Sequence, residues 1–313
     1  MEEFTMTFPQ EESIHREWLN EHCGYFYTTR RKILSCDTDF QKLDLVDTAE
    51  MGKVLILDGI TQIAEKNEFQ YHEPMVHPAL CTHPKPEHVL VIGAGDGAIL
   101  REVLKYPTIK SVELAELDAG VIEFSKKHLA SIHNHAFDDP RVSVVITDGR
   151  KFVEDCPGKF DIVIMDMTDP FGPSKYLYTK DFFKQVKRSF RNDKGIFCMH
   201  TESPVMRPRT FACIQKTLGA VFTHVCPLYV YVQMYSTLWS ITVASDASDP
   251  GTIRETTINN RLAQYGIRNL QYYNGSVHKA AQITFPYISD ILKKKAAVLT
   301  DRHPDVPDEI IHC

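Results

Sequence analysis

The spacing of apolar positions changes character along the chain and divides it into three stretches. Over residues 22–65, apolar positions alternate with polar ones or run in short blocks, as in FQKLDLVDTA and KVLILDGITQIAE. Turn signals at residues 50–52 and at Asp58 and Gly59 separate these segments, so the pattern predicts a small antiparallel β unit. EFQYHEPMVHPALCTH then takes helical spacing, with Pro74 near its start and Pro78 inside it.

From about residue 87 the pattern switches to strands alternating with helices. HVLVIGAG is a continuous apolar strand ending in glycines, and AILREVLKYP follows with Ile99, Val103 and Leu104 on one helical face until Pro107 stops it. SVELAELD, VSVVITDG, FDIVIMDMTDP, GIFCMHTE and TLWSITVASD read as further strands. AGVIEFSKKHLASI, DFFKQVKRSF and TFACIQKTLGAVF read as helices. Strands apolar on both faces, joined by helices, predict a parallel, doubly wound sheet. Beyond it come a polar linker, ASDPGT, an amphipathic helix, TINNRLAQYG, and a second helix from Ser276 to about residue 299, kinked at Pro286. The expected organisation is a β domain over 1–70 making substrate and oligomer contacts, an α/β catalytic domain over 71–246 and a helical extension over 247–313.

Composition narrows the class. At 43% hydrophobic and 24% charged residues, the 313-residue chain can bury a real core. Its 35 basic and 41 acidic side chains give a net charge of −6, which argues against nucleic-acid backbones and anionic membranes as partners. No window approaches the ~18 apolar residues of a membrane span, and the acidic start MEEFTMTFPQEES lacks a secretory h-region, so the cytoplasm is the expected compartment. The eight cysteines include no C-x-x-C pair and read as reduced thiols, with Cys198 and Cys226 in the core.

The chemistry concentrates where strands end. GAGDG at residues 93–97 lies between a strand and a helix, so Gly93 and Gly95 let a ligand approach the backbone and the helix N-terminus. This motif serves nicotinamide dinucleotides, flavins or S-adenosyl compounds, and a ligand-free tight turn is the plain alternative. Asp96 tilts the choice, because a carboxylate in the loop repels a pyrophosphate and attracts a cation. Glu116, at the second strand tip, is placed for ribose hydroxyls, whereas Asp118 reads first as a helix cap. Asp148, followed by Gly149, can accept from an adenine amine or cap a helix. Asp166 and Asp169 follow the fourth strand in DMTDPFGP. Carboxylates so crowded call for a cation, either an organic one or Mg²⁺ or Mn²⁺. His128, His133 and His135 read as surface residues and give a metal no support.

Taken together, GAGDG, the acids at 116 and 148, and D-x-[ST]-D-P-x-G-P resemble the polyamine aminopropyltransferases, the spermidine synthase family. The resemblance runs over roughly residues 20–245 and includes Gln41 and LDGITQIAEKNEFQYHE at 57–73. It implies a Rossmann-like, class I methyltransferase-like, mostly parallel sheet carrying a small N-terminal antiparallel β domain. It also implies a homodimer or homotetramer, and no cofactor or metal beyond decarboxylated S-adenosylmethionine as co-substrate. The expected reaction moves an aminopropyl group to a polyamine and releases methylthioadenosine. Putrescine giving spermidine is the first expectation, with agmatine or spermidine as other acceptors, which the tail with YYNGSVHKAA resembles more. By motif, Asp166 is the catalytic acid/base with Tyr71 beside it. Gln41, Gln62, Gly93, Gly95, Asp96, Glu116, Asp148 and Gly149 border the donor, and His72 and Asp169 line the acceptor channel.

The chain departs from the family pattern at Ala98, Pro74 and Met167, and in the segment from Tyr231 to Trp239 that usually carries the acceptor-side tyrosine. Tyr231 or Tyr235 is the substitute in reach, and Glu202 either meets the far ammonium group or is solvated. An S-adenosylmethionine-dependent polyamine N-methyltransferase and a non-catalytic ligand-binding relative are the rival readings.

Overall fold

The computed structural model describes residues 14–308; the N-terminal segment read as lacking a secretory signal lies outside them. A hairpin of β1 (Ile14–Trp18) and β2 (Gly24–Thr28) precedes a four-stranded antiparallel meander, β3 (Arg31–Asp37), β4 (Lys42–Thr48), β5 (Gly52–Leu57) and β6 (Ile60–Ala64), in that order. The β5–β6 turn places Asp58 and Gly59 at φ 47° and 84°, and both values suit the two-residue hairpin turn whose twist matches the strands. Helix α1 (Phe69–Thr82) follows and is buried from Tyr71 onward, with Pro74 and Pro78 inside it. Burial and side-chain bonds hold it despite the two missing amides: Thr82 Oγ1 donates to the Pro78 carbonyl, and the Glu73 carboxylate accepts the amides of Gln271, Tyr272 and Tyr273.

The main sheet has seven strands in the order β12-β13-β11-β10-β7-β8-β9. β7 (His88–Gly93), β8 (Ser111–Glu116), β9 (Val142–Ile146), β10 (Ile162–Asp166) and β11 (Ile196–His200) run parallel. β13 (Thr237–Ser245) and β12 (His224–Val232) complete one edge antiparallel. The fold is therefore the expected Rossmann-like, mostly parallel sheet behind an N-terminal antiparallel unit. Strand order reverses between β7 and β10, where such sheets open a crevice at their carboxyl ends.

Connecting helices are α2 (Ala98–Leu104), α3 (Ala119–His128), α4 (Ala130–His133), α5 (Gly149–Glu154), α6 (Lys180–Ser189) and α7 (Pro208–Gly219). The C-terminal part holds α8 (Glu255–Gln264), α9 (Gly275–Ala281) and α10 (Pro286–Lys293). Among the described residues no helix is long and apolar enough to cross a membrane.

The structure corrects several expectations. β12 has no counterpart in the periodicity reading, because Pro227 interrupts it; the strand forms on a sheet edge, where a missing amide is tolerated. The helix predicted to kink at Pro286 is two helices, with Pro286 in the first turn of the second, where its fixed φ is favourable. His133 is buried, not a surface residue. The seven described cysteines are free, and Cys198 and Cys226 are in the core.

Candidate active site

A cavity of about 870 Å³ opens over the carboxyl ends of β7, β8 and β10 and is roofed by the N-terminal strands. Gly93 ends β7 at φ 75°, a left-handed value, and a Cβ there would stand 2.2 Å from the carbonyl oxygen of Asp166. That carbonyl accepts the Ala94 amide at 3.0 Å. Only glycine lets the loop press this closely on the end of β10, so the turn and Asp166 are locked together. Gly95 and Gly149 also border the cavity.

Asp166 Oδ1 accepts the Tyr71 hydroxyl at 2.6 Å. Tyr71 is 4% exposed, and burial followed by the Asp166 charge raises its phenol well above the ordinary value, so it stays protonated. Ligating atoms of Asp166, Asp96 and His72 lie within 4.8 Å of one another. Burial pushes Asp96 up, the His72 charge pulls it back and Asp166 pushes it up again. His72 donates through Nδ1 to Glu68 at 2.7 Å, and Arg101 holds the same Glu68 oxygen at 2.9 Å. Burial disfavours the imidazolium, but the Glu68 bond and the charges of Asp96 and Asp166 outweigh it and hold His72 at about 9. The three groups span a distance a metal ion could bridge, and a metal there would take His72 as its neutral imidazole.

At the β8 side of the cavity, Glu116 Oε1 accepts the Asp118 amide at 2.9 Å. Burial raises Glu116 to about 7, against the pull of the Asp118 and Leu117 amides. Asp118 caps α3, as expected, by accepting from Gly120, and its second oxygen accepts from Thr38 Oγ1 and Gln41 Nε2, which ties the meander to the sheet. Gln62 borders the cavity with its amide turned to the Ile60 carbonyl. Asp148 caps α5 through the Lys151 amide at 3.0 Å, the second of its two sequence readings, and also borders the cavity.

At the opposite end, Tyr235 stands edge-on to Tyr71 with ring centroids 5.7 Å apart, and Trp239 packs 5.0 Å from it. Tyr231 is 55% exposed and does not border the cavity, whereas Tyr235 does. Asp169 accepts Arg207 at 2.6 Å; burial raises its carboxyl, but Arg207 and His200 hold it below the ordinary value. Glu202 is fully buried, bonded to Arg207 at 2.8 Å and absent from the cavity wall. This corrects the expectation for Glu202: it is neither solvated nor facing an acceptor, because the guanidinium lies between. Sequence reading also missed Glu68, Arg207 and Glu17. Only Glu68 left a local trace, its i, i+4 spacing to His72.

Residues 68–253 match the family model described as the spermine/spermidine synthase domain, and residues 14–65 match the spermidine synthase tetramerisation domain. The chain belongs to the polyamine aminopropyltransferase, or spermidine synthase, family. Among its relatives, the polyamine aminopropyltransferase of Nitrosomonas europaea is 36% identical over 91% of this chain and 87% of the relative. That of Sulfurisphaera tokodaii is 38% identical over 93% and 96%. A spermidine synthase crystallised with the transition-state analogue AdoDATO superposes with a TM-score of 0.84 at 32% identity, covering 92% of this chain and 97% of that one. The Thermotoga maritima spermidine synthase gives 0.83 at the same identity and coverage. This aminopropyltransferase thus shares both its catalytic sheet and its N-terminal strands with the family.

Proposed function

We propose that the enzyme transfers the aminopropyl group of decarboxylated S-adenosylmethionine to putrescine, giving spermidine and methylthioadenosine. The observation that carries this reading is the 2.6 Å bond from Tyr71 to Asp166 at the floor of a cavity ringed by Asp96, Glu116, Asp148 and Asp169. A sulfonium nucleoside with a primary amine and a multiply charged acceptor are the ligands such a ring complements.

In this reading Glu116 accepts the ribose hydroxyls and Asp148 the adenine amine. Gly93, Gly95 and Gly149 leave room for the nucleoside, and Gln41 and Gln62 close its wall. Asp96 holds the donor's amine, while Tyr235, Asp169 and the His72 edge border the acceptor. An acceptor amine with a pKa of ~10, taking lysine as the guide, arrives protonated. Asp166 takes that proton, with Tyr71 orienting the amine. The amine lone pair then attacks the carbon attached to sulfur, and the C–S electron pair leaves with sulfur as a neutral thioether. A methionine carboxylate is repelled by the same acids, which favours the decarboxylated donor over a methyl donor.

The division at residues 70 and 246 remains our proposal for the domains, with the N-terminal strands supplying subunit contacts in a homo-oligomer, in keeping with the tetramerisation-domain match. The reading is tested by mass spectrometry of products formed from decarboxylated S-adenosylmethionine with putrescine, cadaverine, agmatine and spermidine in competition. Spermidine and methylthioadenosine in equal amounts are expected; methylated amines as products would replace the reading.

A further inference from the structure

Arg207 is a guanidinium only 3% exposed at the edge of a cavity otherwise suited to cations. Three segments hold it. Nη1 donates to Asp169 Oδ2 at 2.6 Å and to Glu202 Oε2 at 2.8 Å, Nε donates to the Leu19 carbonyl at 3.0 Å, and the group lies 5.2 Å over the Phe171 ring. Asn20 adds a bond to the Met206 carbonyl at 3.0 Å, so the β1–β2 hairpin is fastened to the Arg207 loop. Glu202 adopts φ 70°, unusual for a residue with a Cβ, and its carboxyl lies against that of Asp169. Burial pushes the Glu202 carboxyl up, and Arg207 beside it pulls it back down. Arginine cannot give up its proton, and it holds Asp169 ionised.

Glu17 differs. It is 8% exposed, borders the same end and accepts from the Tyr25 hydroxyl at 2.8 Å and the Thr61 amide at 2.7 Å. His15 lies 3.8 Å away, and no lysine or arginine pairs with it among the described residues. The Thr61 amide that Glu17 accepts adjoins Gln62, whose carbonyl takes the Tyr235 hydroxyl at 3.1 Å, so Glu17 and Tyr235 are tied to neighbouring residues of β6.

We propose that Arg207 is a specificity-determining residue that limits the acceptor to one distal cation. It occupies Asp169 and Glu202 and leaves Glu17 to meet that cation. The inference rests on the aminopropyl-transfer reading and adds a length rule to it. After losing its reacting proton a diamine keeps one ammonium group, which Glu17 balances. A triamine keeps two, and the second would find Asp169 and Glu202 already paired with the guanidinium, leaving an uncompensated charge that costs roughly tenfold or more in affinity.

The test compares kcat and KM for putrescine and spermidine in the wild type, Arg207→Met, Arg207→Lys and Glu17→Gln, with circular dichroism for folding and calorimetry for donor binding. We expect the wild type to favour putrescine. Arg207→Met should move the spermidine-to-putrescine ratio of kcat/KM up by roughly tenfold or more, through acceptor KM, while Arg207→Lys stays near the wild type. Glu17→Gln should raise putrescine KM by a similar factor and leave the donor Kd in place. The inference is overturned by a wild type that uses spermidine as well as putrescine, or by a folded Arg207→Met with an unmoved ratio. Should Arg207→Met fail to fold, an unchanged putrescine KM in Glu17→Gln overturns it and a raised one supports it. A wild type that forms no aminopropyl product with any amine rejects the underlying reading instead.

Discussion

Replacing Asp166 by Asn isolates the proton transfer from everything else Asp166 does. The side chain keeps its shape and can still accept the Tyr71 hydroxyl now 2.6 Å from Oδ1. The backbone oxygen keeps the Ala94 amide, and the strand keeps its register beside Gly93. What is lost is a proton acceptor and one negative charge. Loss of a positioned general base costs about 10²–10⁴-fold in kcat, roughly 3–5 kcal/mol in the barrier. Donor affinity should hold within about tenfold, because Asp166 is one of the charges that push Asp96 up, and its removal leaves Asp96 more readily ionised. The assay is steady-state release of methylthioadenosine, with donor Kd measured separately by calorimetry. A second signature follows from the chemistry. The variant depends on acceptor that is already deprotonated, so its rate should climb by about tenfold per pH unit toward the amine pKa of ~10. Retention of kcat within tenfold at neutral pH, or a pH profile parallel to the wild type, refutes the base assignment.

Glu116, held at about 7 by burial, loses its charge and part of its acceptor capacity when protonated, which in the proposed role weakens its hold on the ribose hydroxyls. Donor Kd should therefore be flat above pH 7 and rise by up to about tenfold per unit below it, and Glu116→Gln should abolish that slope. A wild-type Kd constant from pH 5.5 to 8 rejects the ribose role. The His72 imidazole, at about 9 in the fold against 6.5 unfolded, contributes stability that is complete below pH 6.5 and is lost as pH rises through 9. The contribution is on the order of 3 kcal/mol, and urea denaturation across pH should show it in the wild type but not in His72→Asn; equal slopes in both speak against it. Gly93→Ala forces a Cβ against the Asp166 carbonyl at a left-handed backbone angle. It should cost roughly 1–3 kcal/mol and lower kcat by displacing Asp166; a variant of wild-type stability and rate contradicts the locked turn.

Much of this architecture is legible in the chain because strand tips announce themselves. Asp96, Glu116, Asp148 and Asp166 each follow an apolar run that burial makes into a strand, so their convergence on one sheet rim follows from topology alone. The same logic blurs caps and ligands: Asp118 and Asp148 both cap helices, since the strand end that presents a carboxylate to a ligand also begins the next helix. Arg207 was invisible because its partner Asp169 is 38 residues away and its third anchor, Leu19, is 188 away, with no local pattern linking them. Glu202 was misplaced for the same reason, as only the guanidinium's position decides which way it faces. Pro227 and Pro286 misled in opposite directions, one sitting inside an edge strand and the other opening a helix.

The central claim is that a rim of carboxylates selects a cationic donor stripped of its methionine carboxylate. It is tested most directly by calorimetric Kd values for decarboxylated S-adenosylmethionine and S-adenosylmethionine on the same preparation. One added carboxylate beside Asp96 and Asp166 should weaken binding by roughly tenfold to a thousandfold. Equal affinities, or tighter binding of the carboxylated compound, would contradict the account.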